Sequence, residues 1–136
     1  VAANGNGVYL VVRAQEALWS RRWNGTNFEN WVLLGANATG NPAAGGSSAG
    51  AYAFVRSKTD SSVWVSRNTG GSWGAFTSLN WASNASPAAV VESGGGAVHL
   101  FVRGNDNNLY WGRMLPAGFT GFLSLGGPVA VGDALV

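Results

Sequence analysis

The chain has 136 residues, a net charge of +2 on only 10% charged side chains, 21 glycines, 7 tryptophans and no cysteine. Without cysteine there is no disulfide, no thiolate nucleophile and no cysteine-held metal, and no apolar run approaches the roughly 20 residues of a membrane-spanning helix. Seven of the eight basic residues are arginines scattered along the chain, without the basic stripe of a nucleic-acid surface, so neither nucleic acid binding nor membrane insertion is expected.

The first segment, VAANGNGVYLVVR, enters a strand at once, and VYLVVR (8–13) is rich in β-branched and aromatic residues. After a polar turn, LWSRR (18–22) reads as a second strand and WVLLG (31–35) as a third. The order returns with AYAFVR (51–56), VWVSR (63–67) and FTSLN (76–80), then again with VHLFVR (98–103), LYWGR (109–113) and FLSLG (122–126). A further strand precedes each unit, clearest in PAAVVE (87–92).

These segments form an internal repeat. The anchors Arg13, Arg56 and Arg103 lie 43 and 47 residues apart. An aromatic and then an arginine three residues on follow each anchor: Trp19 and Arg22, Trp64 and Arg67, Tyr110 and Arg113. An aromatic pair comes next (Phe28/Trp31, Trp73/Phe76, Phe119/Phe122), and each unit closes on Leu34, Leu79 or Leu125. Four short strands in about 45 residues is the arithmetic of a β-propeller blade. Stacked blades cover both faces of each sheet, which accounts for strands apolar on both sides.

The expected fold is therefore all-β: a β-propeller of four-stranded blades, three per chain. The whole of 1–136 forms one propeller segment, with repeats near 1–41, 42–86 and 87–128. The last residues, VGDALV, continue in register into the first ones when both are laid over SPAAVVESGGGAVHL, so 129–136 is expected to open the next blade's inner strand. Three blades fall short of the roughly four to eight of a closed ring, whereas two chains supply six. A homodimer completing a six-bladed ring is the expected assembly.

LFVRGNDNNLYWGR followed by LSLGG resembles the repeat of the PLL-like bacterial lectins, fucose-binding β-propellers related to the Photorhabdus lectins. Their pattern, F-x-R-G-x-D-N-x-L-W/Y-x-R then W-x-G-x-W-x-x-W-x-x-L-G-G, is matched in the third unit at Arg103, Gly104, Asp106, Asn107, Leu109, Tyr110 and Arg113. The first unit matches its second half at Trp23, Gly25, Trp31, Leu34 and Gly35. The turn departs to AQEA after Arg13 and SKTDSS after Arg56. The resemblance implies a multivalent lectin for fucose or related deoxy or O-methylated sugars, with sites between blades and no metal or other cofactor.

The residues themselves offer little for catalysis. There are six acids and one histidine, with no close carboxylate pair, Ser/His/Asp order or metal-ligand cluster, so no enzyme activity is expected. A binding face is better supplied. Alternation puts Tyr9 with Arg13, Tyr52 with Arg56, and His99 with Arg103 on common faces, where a ring could stack on a sugar and a guanidinium donate to hydroxyls. The same arginines could instead staple blade to blade. Trp19, Trp64 and Tyr110 read as either blade core or cleft wall, and Arg22, Arg67 and Arg113 as either cleft donors or solvent-facing residues. Trp81 and Trp111 are aromatic in one unit only, facing Ala36/Gly127 and Ser20/Val65 in the other units. The candidate sugar-binding set is thus Tyr110, Trp111, Arg113, Arg103, His99, Trp19, Arg22, Trp64, Arg67 and Trp81. The alternative is a structural or protein-interaction propeller whose clefts bind no sugar.

Overall fold

The computed structural model describes residues 1–127; the strand expected over 129–136 lies outside the described residues. Every regular element described is a β-strand, and the strands form three antiparallel sheets. The first sheet runs in order through β1 (Ala2–Asn4), β2 (Gly7–Ala14), β3 (Ala17–Trp23) and β4 (Val32–Gly35). In the second, β5 (Ala38–Ser47), β6 (Gly50–Ser57) and β7 (Ser62–Thr69) are followed by β8 (Ser72–Trp73) and β9 (Thr77–Ala82), which share one edge of β7. The third repeats this plan with β10 (Ala88–Val91), β11 (Val98–Arg103), β12 (Leu109–Leu115), β13 (Gly118–Phe119) and β14 (Leu123–Gly126). The first sheet holds the place of β8 with a single bridge between Trp23 and Phe28.

Register follows the sequence repeat. Tyr9 opposes Arg22, Tyr52 opposes Arg67 and His99 opposes Arg113, so each pair projects from one face of its sheet. The turns between the second and third strands each need a left-handed residue: Gln15, Ser61 or Asn107. Asn107 meets that need most easily, because a short amide side chain tolerates positive φ.

The second sheet lies between the other two, and β6 is therefore buried without interruption from Ala51 to Val55. One side of it (Ala51, Ala53, Val55) packs on Tyr9, Val11 and Leu18 of the first sheet. The other side (Tyr52 and Phe54, with Val63 and Val65 of β7) packs on Val98, Leu100, Val102 and Met114 of the third. The first strands of the sheets also lie against one another. A Cβ on Gly46 of β5 would fall 1.4 Å from the Ala3 carbonyl oxygen of β1, so only glycine permits this backbone approach.

Two faces are left uncovered by the described residues. On the first sheet these are Val8, Leu10, Val12, Trp19 and Trp23, with Val8 37% exposed. On the third they are His99, Phe101, Trp111, Arg113 and Leu123. The two faces are unlike each other, and each has a covered counterpart elsewhere in the repeat.

Candidate functional site

A cleft of about 270 Å³ opens where the first and second sheets meet, lined by Tyr9, Ser20, Arg22 and Glu29 on one side and Ser72, Trp73 and Gly74 on the other. Strand alternation builds the first wall: Arg22 opposes Tyr9, and Ser20, two residues earlier on β3, shares its face. The hairpin after β7 builds the second wall, its return fixed by the Gly74 amide donating to the Arg67 carbonyl at 2.9 Å. Trp73 meets Tyr9 edge-on, with ring centroids 5.6 Å apart.

Three polar atoms of this cleft are left without a partner. The Tyr9 hydroxyl, Ser20 Oγ and Arg22 Nε are buried and have no hydrogen-bond partner in the protein. Arg22 also stands 3.6 Å from the Glu29 carboxylate. A buried polar atom without a partner costs about 1–3 kcal/mol, so three beside one indole ring suit a ligand rich in hydroxyls.

The same place recurs between the second and third sheets as a cleft of about 350 Å³ lined by Tyr52, Arg67, Met114, Leu115 and Pro116. Its chemistry is poorer. Arg67 Nε donates to the Ala49 carbonyl at 2.9 Å, Val65 stands where Ser20 stood, and Phe119, the counterpart of Trp73, packs on Phe122.

A second space at the first junction, about 570 Å³, is apolar and lined by Leu18, Leu34, Val55, Trp64 and Phe76, with Asn37, Thr59 and Asp60 beside them. Trp64 and Asp60 are already paired through Ser62. The Trp64 indole donates to Ser62 Oγ at 2.6 Å, and Ser62 donates to Asp60 at 2.6 Å. The Ser62 hydroxyl, and then its amide, hold the Asp60 carboxyl below its ordinary pKa. At the next junction Trp81 occupies the corresponding space, 4.6 Å from Tyr110 and 5.2 Å from Phe122 between ring centroids. The first junction is open because the repeat has Ala36 at that position.

The ten candidate residues therefore separate. Arg22 and Arg67 line the equivalent clefts, Trp64 walls the apolar space, and Trp81 and Tyr110 pack together. Trp19 lies on the uncovered face of the first sheet, opposite Val12. His99, Trp111 and Arg113 form one group on the uncovered face of the third, while Tyr110, the neighbour of Trp111, projects from the opposite face. Arg103 binds Asn84 through Nε at 2.6 Å. Arg13 and Arg56 reach across to the carbonyls of Gly40 and Ser83, the stapling role. Tyr9 and Tyr52 offer no ring to a ligand: they are 2% and 1% exposed because the adjoining sheet covers them. Ser20, Glu29 and Trp73 were not singled out from the sequence. Alternation from Arg22 reaches Ser20, but no local pattern distinguishes Trp73 from packing aromatics.

Asp106 and Tyr110 carry a testable pH dependence. The Tyr110 hydroxyl donates to Asp106 Oδ2 at 2.6 Å, and the Asn108 amide donates to Oδ1 at 3.0 Å. The tyrosine bond first, and the amide second, lower the carboxyl's pKa, while the same tyrosine bond raises the phenol's. The pair's stabilisation is lost as pH falls through the lowered carboxyl value or rises through the raised phenol value. Tyrosinate absorbance should develop at lower pH in Asp106→Asn than in the unsubstituted chain. Superimposable curves would show that the bond does not govern Tyr110.

Among the described residues no three metal-ligating side chains cluster, and no helix is long and apolar enough to cross a membrane. In comparisons with known proteins, no protein-family model matches the chain and no curated protein matches it.

Proposed function

We propose that the chain is a multivalent lectin, a three-blade segment of a β-propeller whose six-bladed ring is completed by a second copy, taking sugars in the clefts between its sheets. The observation that carries this reading is the group of unpartnered polar atoms, Tyr9 hydroxyl, Ser20 Oγ and Arg22 Nε, gathered beside Trp73 in one cleft. Arginine and hydroxyls supply hydrogen bonds to a sugar's hydroxyl groups, and an indole supplies an apolar surface for its C–H face. The resemblance of the repeats to the PLL-like lectins points to fucose or a related deoxy or O-methylated sugar. The mechanism is binding alone. Glycoside hydrolysis commonly uses two carboxyl groups flanking the bond, and Glu29 is the one carboxylate among the described residues lining this cleft. A shallow site of this kind binds weakly, and several on one ring gain strength by engaging one glycan surface together.

Titration with methyl α-L-fucoside should give a dissociation constant in the roughly millimolar-to-micromolar range, unchanged by EDTA and without hydrolysis. Arg22→Ala should weaken binding in this cleft about tenfold or more, as expected for lost charge-assisted hydrogen bonds. Loss of binding on chelation overturns the metal-free mechanism. Silence across a broad glycan array leaves the structural or protein-interaction reading, which the aromatic filling of the second junction by Trp81, Tyr110 and Phe122 favours there.

A further inference from the structure

We infer that a third cleft forms only between two copies of the chain, with His99, Trp111 and Arg113 of one copy as its first wall and the Trp23–Phe28 hairpin of a second copy as its other. The inference rests on the lectin reading for its ligand and on the internal repeat for its geometry.

Each cleft within the chain pairs a tyrosine and an arginine of one sheet with the hairpin of the following sheet. Tyr9 and Arg22 face Gly71–Gly74, and Tyr52 and Arg67 face Leu115–Gly118. His99 opposes Arg113 in the same register, so the third sheet carries the first half of another such cleft. The matching hairpin of the first sheet, Asn24 to Asn27, faces none of the described sheets. It is nevertheless preformed: Asn24 Oδ1 accepts the amides of Thr26 and Asn27, each at 3.0 Å. Trp23 and Phe28 flank it edge-on, 5.3 Å apart, at 36% and 45% exposure.

The surfaces around these half-sites name the occupant. Val8, Leu10 and Val12 repeat Ala51, Ala53 and Val55, and also Val98, Leu100 and Val102. Both of the latter sets are buried against the preceding sheet. Phe101 likewise repeats Phe54, which is buried against the following sheet. The uncovered faces of the third and first sheets are therefore the two halves of a contact that the chain already makes twice. A second copy presents the missing half in the required register. A head-to-tail contact of this type closes into a ring when the rotation allows.

The third cleft also differs in chemistry. Trp111 replaces Ser20 and Val65, and its indole donates to His99 Nδ1 at 2.9 Å with the rings stacked 5.7 Å apart. That bond leaves the neutral imidazole's proton on Nε2, which lies 3.7 Å from Glu92. Arg113 sits over Trp111, 5.6 Å from its centroid. With Trp23 and Phe28 opposite, the cleft has aromatic groups on both walls and suits a sugar with an apolar edge, such as a deoxy or O-methyl group.

Complementation tests this. In an Arg22→Ala background, Trp111→Leu and Phe28→Leu keep apolar bulk but each removes one aromatic wall, and each should lose the share of methyl α-L-fucoside binding that this cleft carries, leaving only what the Tyr52/Arg67 cleft supplies. Refolding the two variants together in equal amounts should restore roughly a quarter of the junction sites, because half of randomly paired dimers are mixed and one of their two junctions is unsubstituted. Light scattering should show dimers throughout. A mixture of dimers that regains no binding overturns the shared site, as does a folded monomer that binds as well as the dimer. If the unsubstituted chain is dimeric yet binds no fucoside, the lectin reading fails and the ligand of this cleft with it. Should either variant fail to pair, Val8→Asp reads the junction directly, since Val8 lies on the face that a second copy would cover and is 37% exposed without it. A folded monomer from that variant supports the contact, and a dimer as tight as that of the unsubstituted chain overturns it.

Discussion

Phe54→Ala is expected to destabilise the chain by about 3–5 kcal/mol, whereas Phe101→Ala should cost much less in a dilute single chain. The two residues hold equivalent positions, opposite Val65 on β7 and Trp111 on β12. They differ in what lies over them. Phe54 is fully buried between the second and third sheets, and Phe101 is half-buried on the uncovered face. Deleting a ring leaves a cavity only where neighbours enclose it, so position in the stack sets the cost. Urea melts of both variants at low concentration should separate them clearly. Equal losses there would show that Phe101 is as enclosed as Phe54. If a second copy covers the third sheet, the cost at Phe101 should grow as the chain concentration rises.

The second large effect is expected at Gly46. A Cβ there would fall 1.4 Å from the Ala3 carbonyl oxygen and 2.8 Å from the Ala3 amide nitrogen, both backbone atoms that cannot turn aside. Gly46→Ala must push β1 away from β5, and overpacking of this type costs about 1–3 kcal/mol or more. Gly45 is the control. Its added Cβ would meet Val98 Cγ1 at 2.7 Å, a single side-chain methyl rather than a strand's backbone, so the overlap is smaller. Thermal melts should place Gly46→Ala well below Gly45→Ala, and the reverse order would mean that the close approach of β1 and β5 contributes little.

The repeat made the strands and their order legible. Spaced arginines and aromatics locate all three sheets, and alternation identifies which residues share a face. What the sequence could not supply is what covers each face. Tyr9 and His99 occupy equivalent positions and read alike, yet a following sheet covers Tyr9 and none of the described residues covers His99 in that way. Likewise Trp64 and Tyr110 are equivalent in sequence, but Ala36 leaves space near the first and Trp81 fills it beside the second. The polar atoms of the first cleft are not legible in the sequence for a related reason. Ser20 is unremarkable on its strand and becomes informative only when its hydroxyl is found buried without a partner.

The order of strands in each sheet has a consequence for how the chain reaches its folded state. β1 through β4 pair in sequence order, and the other two sheets depart from that order only where β8 and β13 share an edge with β9 and β14. Each pairing therefore closes a short loop, and the entropy lost in closing a loop rises with its length. Contacts between sheets close longer loops, and they bury the large side chains of β6 only once the flanking sheets have arrived. Hairpins are thus the inexpensive early step, and docking of the middle sheet between its neighbours is the step that makes the transition cooperative.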